Sequence, residues 1–253
     1  MKRNILDAHM HLPYDCKSFA DKRSTLLKEM QTNQITKGIV ISDSSLESTI
    51  GSLQECVELF AHDEHIAIVG GISPFFTYEK QLRLLEKYLQ EKRVVGIKLF
   101  CGHEQFYLYD ERLLPVYDLA RTYQVPILYH SEGHTSPYAS LASTQMAVKQ
   151  HPDITFVCCH CHYPDVADCF AAYEDTTNMI FDMSSLADQW IYLPSMKKEI
   201  EKFLYKHPNR IMFGSDYAGC NQLDHLQFAL SLAMDEQTKN KLLYDTACKV
   251  YKI

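Results

Sequence analysis

No stretch of the 253 residues is apolar for long enough to serve as a signal peptide or a membrane span, because Met1-Lys2-Arg3-Asn4 runs straight into the short Ile5-Leu6 segment. A cytoplasmic location without membrane partners is the expectation. A basic excess is also lacking: 25 Lys and Arg stand against 32 Asp and Glu, giving a formal charge of -7. Proteins that track a phosphate backbone concentrate positive charge on one face, so nucleic acid is not expected as a partner. No linker, composition break or low-complexity tract divides the chain, and a hydrophobic content of 46% can bury a sizeable core. One domain over residues 1–253 is expected, with homo-oligomerisation left open.

The nine cysteines are an odd number without the small secreted frame in which disulfide scaffolds occur. Cys158, Cys159 and Cys161 surround His160 and His162, a pattern that invites thoughts of zinc. An extended strand sends neighbouring side chains to opposite faces, however, and packing is the preferred reading for all three.

Short runs rich in Val, Ile and Phe alternate with segments of helical periodicity, the pattern of βα units in a parallel sheet. The predicted strands cover Asn4 to Leu12, Lys37 to Asp43, Ile66 to Pro74, Val94 to Phe100, Val125 to His130, Thr155 to His160, Met179 to Ser184 and Ile211 to Asp216. Between them, Tyr78 to Glu91 repeats Tyr78, Leu82, Leu85 and Leu89 at helical spacing, and Ser195 to Tyr205 repeats Met196, Ile200, Phe203 and Leu204. Eight units of roughly thirty residues match the ~250 residues typical of a (β/α)8 TIM barrel, an α/β fold. A doubly wound open sheet would carry a Gly-rich phosphate turn after its first strand. Here that turn reads His11-Leu12-Pro13-Tyr14, without glycine.

The informative residues are the polar ones at the carboxyl ends of these apolar strands, where barrel active sites assemble. His9 and His11, two apart on one strand, project to the same side and can converge on one metal ion. Lys98 sits late in strand four, His130 ends strand five, His160 strand six and Asp216 strand eight. Burying so many polar groups together is costly without a shared partner, and a metal supplies one.

Asp7-Ala8-His9-Met10-His11-Leu12, Tyr129-His130, Cys159-His160 and Ile211-Met212-Phe213-Gly214-Ser215-Asp216 resemble the amidohydrolase superfamily. More narrowly they are similar to its amidohydrolase-related (amidohydrolase 2) branch, which takes in amino-carboxymuconate semialdehyde decarboxylase and related decarboxylases, hydratases and lactonases. The likeness spans nearly the whole chain. Asp-x-His-x-His is shared with other metal barrels, whereas Phe-Gly-Ser-Asp is the sharper branch marker. The chain departs from the branch at Cys161-His162-Tyr163-Pro164, where a Gly-rich turn is common, and at Asp245-Thr246-Ala247, where Asn-Ala is usual.

The resemblance implies that His9, His11, His130 and Asp216 bind one divalent ion. Nitrogen-rich ligation with one carboxylate suits zinc, with manganese or iron as alternatives. Asp216 is then also the catalytic group that accepts a proton from bound water, and His160 orients the water or stabilises developing negative charge, its alternative being a fourth histidine ligand. Lys98 admits three readings: a carboxylated bridge between two metals, a cation for a substrate carboxylate, or an outward structural residue. The substrate-binding reading is preferred. His103, Glu104, Tyr107, Glu132, His134, His162, Tyr163, Trp190, Tyr217 and Asn221 follow strand ends, and some of them are expected to line a cleft for a small-molecule substrate.

The function so implied is a metal-dependent hydrolase of a small amide, ester or lactone acting through a metal-activated water. The alternative is a metal-dependent non-oxidative decarboxylase or hydratase of a small carboxylic acid. A deoxyribonuclease of the TatD type shares His-x-His but is disfavoured by Lys98 and Gly214-Ser215-Asp216. A barrel that has lost catalysis and serves binding or regulation is disfavoured by the retention of every proposed ligand.

Overall fold

In the computed structural model, eight parallel strands among the described residues, 3–131 and 136–253, follow one another in sequence order around a sheet. They are β1 (Leu6–Met10), β2 (Lys37–Ile41), β3 (Ile66–Gly71), β4 (Gly96–Leu99), β5 (Ile127–Tyr129), β6 (Phe156–Cys159), β7 (Met179–Asp182) and β8 (Ile211–Met212). Backbone bonds from Ala8 N to Phe213 O (2.9 Å) and from Asp216 N to His9 O (2.8 Å) join the first strand to the segment after the last. The fold is a TIM barrel, and the consecutive strand order excludes the doubly wound alternative.

All eight predicted strands are present, each shorter than its apolar run. The trimming falls chiefly at the carboxyl ends, where the backbone leaves the ladder to present polar side chains. His11, His130, His160 and Asp216 accordingly stand just beyond strands rather than in them.

Strand alternation divides the core into two layers. Leu6, Ala8, Ile39, Ile41, Val69, Leu128, Val157, Cys159 and Met212 fill the barrel, closed at its base by Ala247 and Tyr251 of the last helix, Thr246–Tyr251. The intervening strand residues, such as Ile97, Leu99, Phe156 and Cys158, pack outward against the helices. No helix among the described residues is long and apolar enough to cross a membrane.

The helices follow the predicted stripes with one rotation. Helix Leu193–Lys206 buries Met196, Ile200, Phe203 and Leu204. Helix Tyr78–Gln90 buries Gln81, Leu85, Tyr88 and Leu89, leaving Tyr78 and Leu82 half-buried. Gln81 is tolerated inside because its Oε1 accepts from Ser73 N at 3.2 Å and its Nε2 donates to Phe76 O at 2.9 Å. Ile200, fully buried, is a point where packing is directly testable: Ile200→Ala should cost about 2–5 kcal/mol, read as a shift in the urea midpoint at unchanged slope.

Candidate active site

The rings of His9 and His11 are 5.3 Å apart between centroids, and that of His160 is 5.2 Å from His9. Their inner nitrogens are tied back to the scaffold. His9 Nδ1 lies 2.5 Å from Asp182 Oδ2 at the end of β7, and His11 Nδ1 donates to Ile41 O at the end of β2 (3.0 Å). The outer nitrogens are therefore turned toward the cavity. His9 Nε2 and His11 Nε2 stand 3.4 and 3.5 Å from the same oxygen, Asp216 Oδ1.

Donors about 2.1 Å from one ion at tetrahedral angles stand about 3.4 Å apart, so this trio has the spacing a divalent cation requires. Its chemistry also fits, with two imidazoles oriented by their far nitrogens and one carboxylate. His130 is not in the tight set but lines the same cavity, its ring 4.9 Å from that of His160 and 3.9 Å from that of His103.

Electrostatics keep these groups in metal-binding form. Burial lowers the pKa of His9, against the pull of Asp182 and Asp216, and lowers His130 and His160 well below the ordinary imidazole range. For Asp216 burial works the other way, but His9, His11 and His160 together hold its carboxyl well below the usual range.

The backbone between β6 and the next helix is a left-handed turn, with φ of 66°, 51° and 50° at His160, Cys161 and His162. Non-glycine residues adopt such angles at a cost of about 1–3 kcal/mol each, sustained by their surroundings. Here it lets His160 face the cavity while His162 points into the outer layer. His160 Nδ1 donates to Ser184, whose Oγ is 2.9 Å away and whose carbonyl is 3.3 Å away. Its Nε2 is left for the cavity.

Gly214 shows why the strand-eight motif needs a glycine, since a Cβ there would lie 2.8 Å from His9 Cβ and collide with Asp182 Oδ1. Asp7, the first residue of Asp-x-His-x-His, is a brace rather than a ligand. Its carboxyl accepts from Ser215 N (2.9 Å), Ser215 Oγ (2.6 Å) and Gln222 Nε2 (2.8 Å), fixing the segment that carries Asp216. Burial pushes its pKa up to about 7, with these bonds pulling against it.

Residues 42–253 match the amidohydrolase family. The chain belongs to that family. No curated protein matches it. Among solved structures, this amidohydrolase-family chain is similar to the uncharacterized TIM-barrel protein Bb4693 of Bordetella bronchiseptica, at 17% identity over 98% of each chain with a TM-score of 0.78. It is also similar to 5-carboxyvanillate decarboxylase LigW of Sphingomonas paucimobilis, at 13% identity over 99% of each chain and a TM-score of 0.70. A third likeness is to dihydroxybenzoic acid decarboxylase of Polaromonas sp. JS666, solved with bound manganese and the inhibitor 2-nitroresorcinol. There the identity is 12% over 99% of this chain and 97% of the other, with a TM-score of 0.66.

The barrel mouth of this chain holds a cavity of about 420 Å³, lined by His9, His11, His130, His160, Asp216 and Lys98 together with His103, Glu104, Tyr14, Asp43, Ser44, Ile50 and Phe100. Of the predicted cleft residues, His103 and Glu104 are there. Tyr107, His162, Tyr163, Tyr217, Asn221 and Trp190 are not among the lining residues: His162 packs outward, Asn221 caps the helix Gln222–Ser231, and Trp190 is 75% exposed. Glu132 and His134 lie outside the described residues.

Sequence reasoning missed Asp182, Ser184 and Ser185, which contact His9, His160 and Asp216, and the lining residues Tyr14, Asp43, Ser44, Ile50 and Phe100. Asp182 ends an apolar strand, the same signal that selected His130 and His160. Asp182→Asn should weaken metal binding about 10- to 100-fold, because the amide cannot fix the His9 tautomer as a carboxylate does. Competition with a chromophoric chelator measures this, and unchanged affinity would show that His9 is oriented by Ser184 alone.

Proposed function

We propose that this chain is a metal-dependent hydrolase of a small amide, ester or lactone that bears a carboxylate. The carrying observation is the convergence of His9 Nε2 and His11 Nε2 on Asp216 Oδ1, which supports binding of one divalent ion, zinc or manganese, by these residues with His130 beside them. When bound, such an ion brings the pKa of a coordinated water to about 7. Asp216 is the group placed to take that proton, its second oxygen being fixed by Ser185 Oγ at 2.5 Å. His160 offers Nε2 to the reacting substrate, while His9 and His11 hold the carboxylate's position.

Lys98 supports the carboxylate on the substrate. It is 1% exposed, its Nζ lies 3.0 Å from Cys159 Sγ and 5.4 Å from the Phe100 ring centre, and no carboxylate among the described residues pairs with it. Burial pushes the Cys159 thiol up, so that contact brings no negative charge to Lys98. A substrate carboxylate supplies the counter-charge. Lys98→Met should raise KM about 10- to 100-fold for carboxylated substrates, the scale of a charged hydrogen bond of 1.5–3 kcal/mol, and leave the uncharged analogues little affected.

A second reading, non-oxidative decarboxylation of a small carboxylic acid, is favoured by the two decarboxylases among the similar structures. The metal-loaded protein is to be incubated with carboxylated lactones, amides and esters and with aromatic carboxylic acids. Acid release without carbon dioxide supports hydrolysis. Carbon dioxide without a hydrolysis product overturns hydrolysis in favour of the second reading.

A further inference from the structure

Directly behind His160, on the helix side of β6, lies a second cluster of ligand-type side chains. Alternation along β6 sends Cys159 into the barrel and Cys158 outward, where Cys169 of helix Val166–Ala172 meets it. The left-handed turn carries His162 to the same spot. The two sulfurs and one nitrogen of the His162 ring all lie within 4.8 Å of one another. Both cysteines are fully buried and His162 is 1% exposed.

The partners of His162 are the decisive detail. Its Nε2 is 3.3 Å from Thr144 Oγ1, whereas Nδ1 is buried without a well-formed hydrogen bond among the described residues, only the weakly bonding Cys158 thiol reaching the ring. An orphaned polar atom of this kind costs about 1–3 kcal/mol, and thiols are only weak hydrogen-bonding groups with which to offset it. The sequence predicts packing for this stretch, because Cys158, Cys159 and Cys161 cannot share a face of one strand. Cys159 accepts from Lys98 inside the barrel, and Cys161 lies 3.4 Å from Asp182 O. Cys158 differs because its partners, His162 and Cys169, come from the turn and from a helix eleven positions on, a combination that strand alternation does not forbid.

We propose that Cys158, Cys169 and His162 form a second metal site, separate from the catalytic cavity, for a thiophilic cation of the zinc or copper(I) type. Binding releases the two thiol protons to solvent and makes three bonds, two from thiolate sulfur and one from imidazole nitrogen. The ion ties the left-handed turn to the following helix, and so holds the segment from which His160 projects. The proposal does not depend on the catalytic reading, since none of its ligands faces the cavity.

Cobalt(II) is the probe, because thiolate ligation gives an intense near-ultraviolet charge-transfer absorption that histidine and carboxylate ligands do not. Reduced, metal-free protein titrated with cobalt should develop that band, the Asp216→Ala variant should keep it, and Cys169→Ser should lose it. Cys159→Ser, aimed at the cysteine on the barrel side of β6, should leave it intact. Absence of the band in the wild-type protein overturns the site, even if Cys169→Ser proves too unstable to study. So does a band that survives Cys169→Ser or disappears with Cys159→Ser. Peptide mapping that finds a Cys158–Cys169 disulfide in protein purified under reducing conditions would equally overturn it.

Discussion

Replacing Asp216 with alanine is expected to empty the catalytic metal site and abolish turnover together. One oxygen of this carboxylate faces His9 Nε2 and His11 Nε2 at 3.4 and 3.5 Å, so it is the third donor of the proposed trio, and the His9 and His11 imidazoles left behind, with His130 outside that tight set, should not retain an ion in competition with water. The same residue is placed to accept the proton of the attacking water, a role that by itself contributes about 100- to 10,000-fold to rate. Loss of turnover should therefore exceed that range, with less than a tenth of the wild-type metal at the cavity by elemental analysis of a Cys169→Ser background. Asp216→Asn separates the two roles: it keeps the shape and one acceptor oxygen, so metal should be partly retained while turnover stays lost. Full metal occupancy in Asp216→Ala would show that the ion is held by the histidines without it, and the site as proposed would fail.

The backbone explains why one residue can carry so much. Asp216 has φ of 65°, and its amide donates to His9 O at 2.8 Å, so the proposed ligand is pinned to the segment that bears His9 and His11. Asp7 grips the adjacent Ser215 through both backbone and hydroxyl. The spacing of Asp-x-His-x-His and Phe-Gly-Ser-Asp is thus one construction: β1 carries the Asp7 brace and His9, with His11 just past its end, and the turn after β8 carries Asp216, the third of the proposed ligands, with Gly214 allowing Asp182 to reach His9.

Much of this was legible in the sequence because barrel strands report in a simple code. Each is a short apolar run, and a polar residue at its carboxyl end points at the mouth, which sufficed to place His9, His11, Lys98, His130, His160 and Asp216 at one cavity. Asp182 obeys the same code and was legible in principle, being the only carboxylate closing the Met179-Ile180-Phe181 run. The rest was not. Asp43, Ser44 and Ile50 reach the cavity from the segment after β2, where Ser44 Oγ donates at 2.6 Å to Glu104, itself a predicted cleft residue, across sixty residues of sequence. Loop conformation of that kind is set by tertiary contacts and leaves no periodicity to read. The inward rotation of Gln81 in the helix Tyr78–Gln90 left no sequence signal for a related reason, since a polar side chain enters a core wherever distant backbone groups satisfy it.

His160→Ala should give the complementary phenotype, with metal retained and turnover reduced about 100- to 10,000-fold. The ring lies beside the metal trio rather than in it, and its Nδ1–H is occupied by Ser184, so its place is fixed without an ion. Burial holds the ring neutral at ordinary pH, leaving the Nε2 lone pair available to orient water or take a proton as the substrate reacts. The loss should therefore fall on kcat with little change in KM, and added imidazole should restore part of it by diffusing into the vacated space, an outcome that a merely structural histidine would not produce. Metal analysis decides between the two readings of this residue. If His160→Ala keeps its cavity ion, the residue acts on substrate or water; if the ion is lost with the side chain, His160 is a ligand and the proton must travel through Asp216 alone.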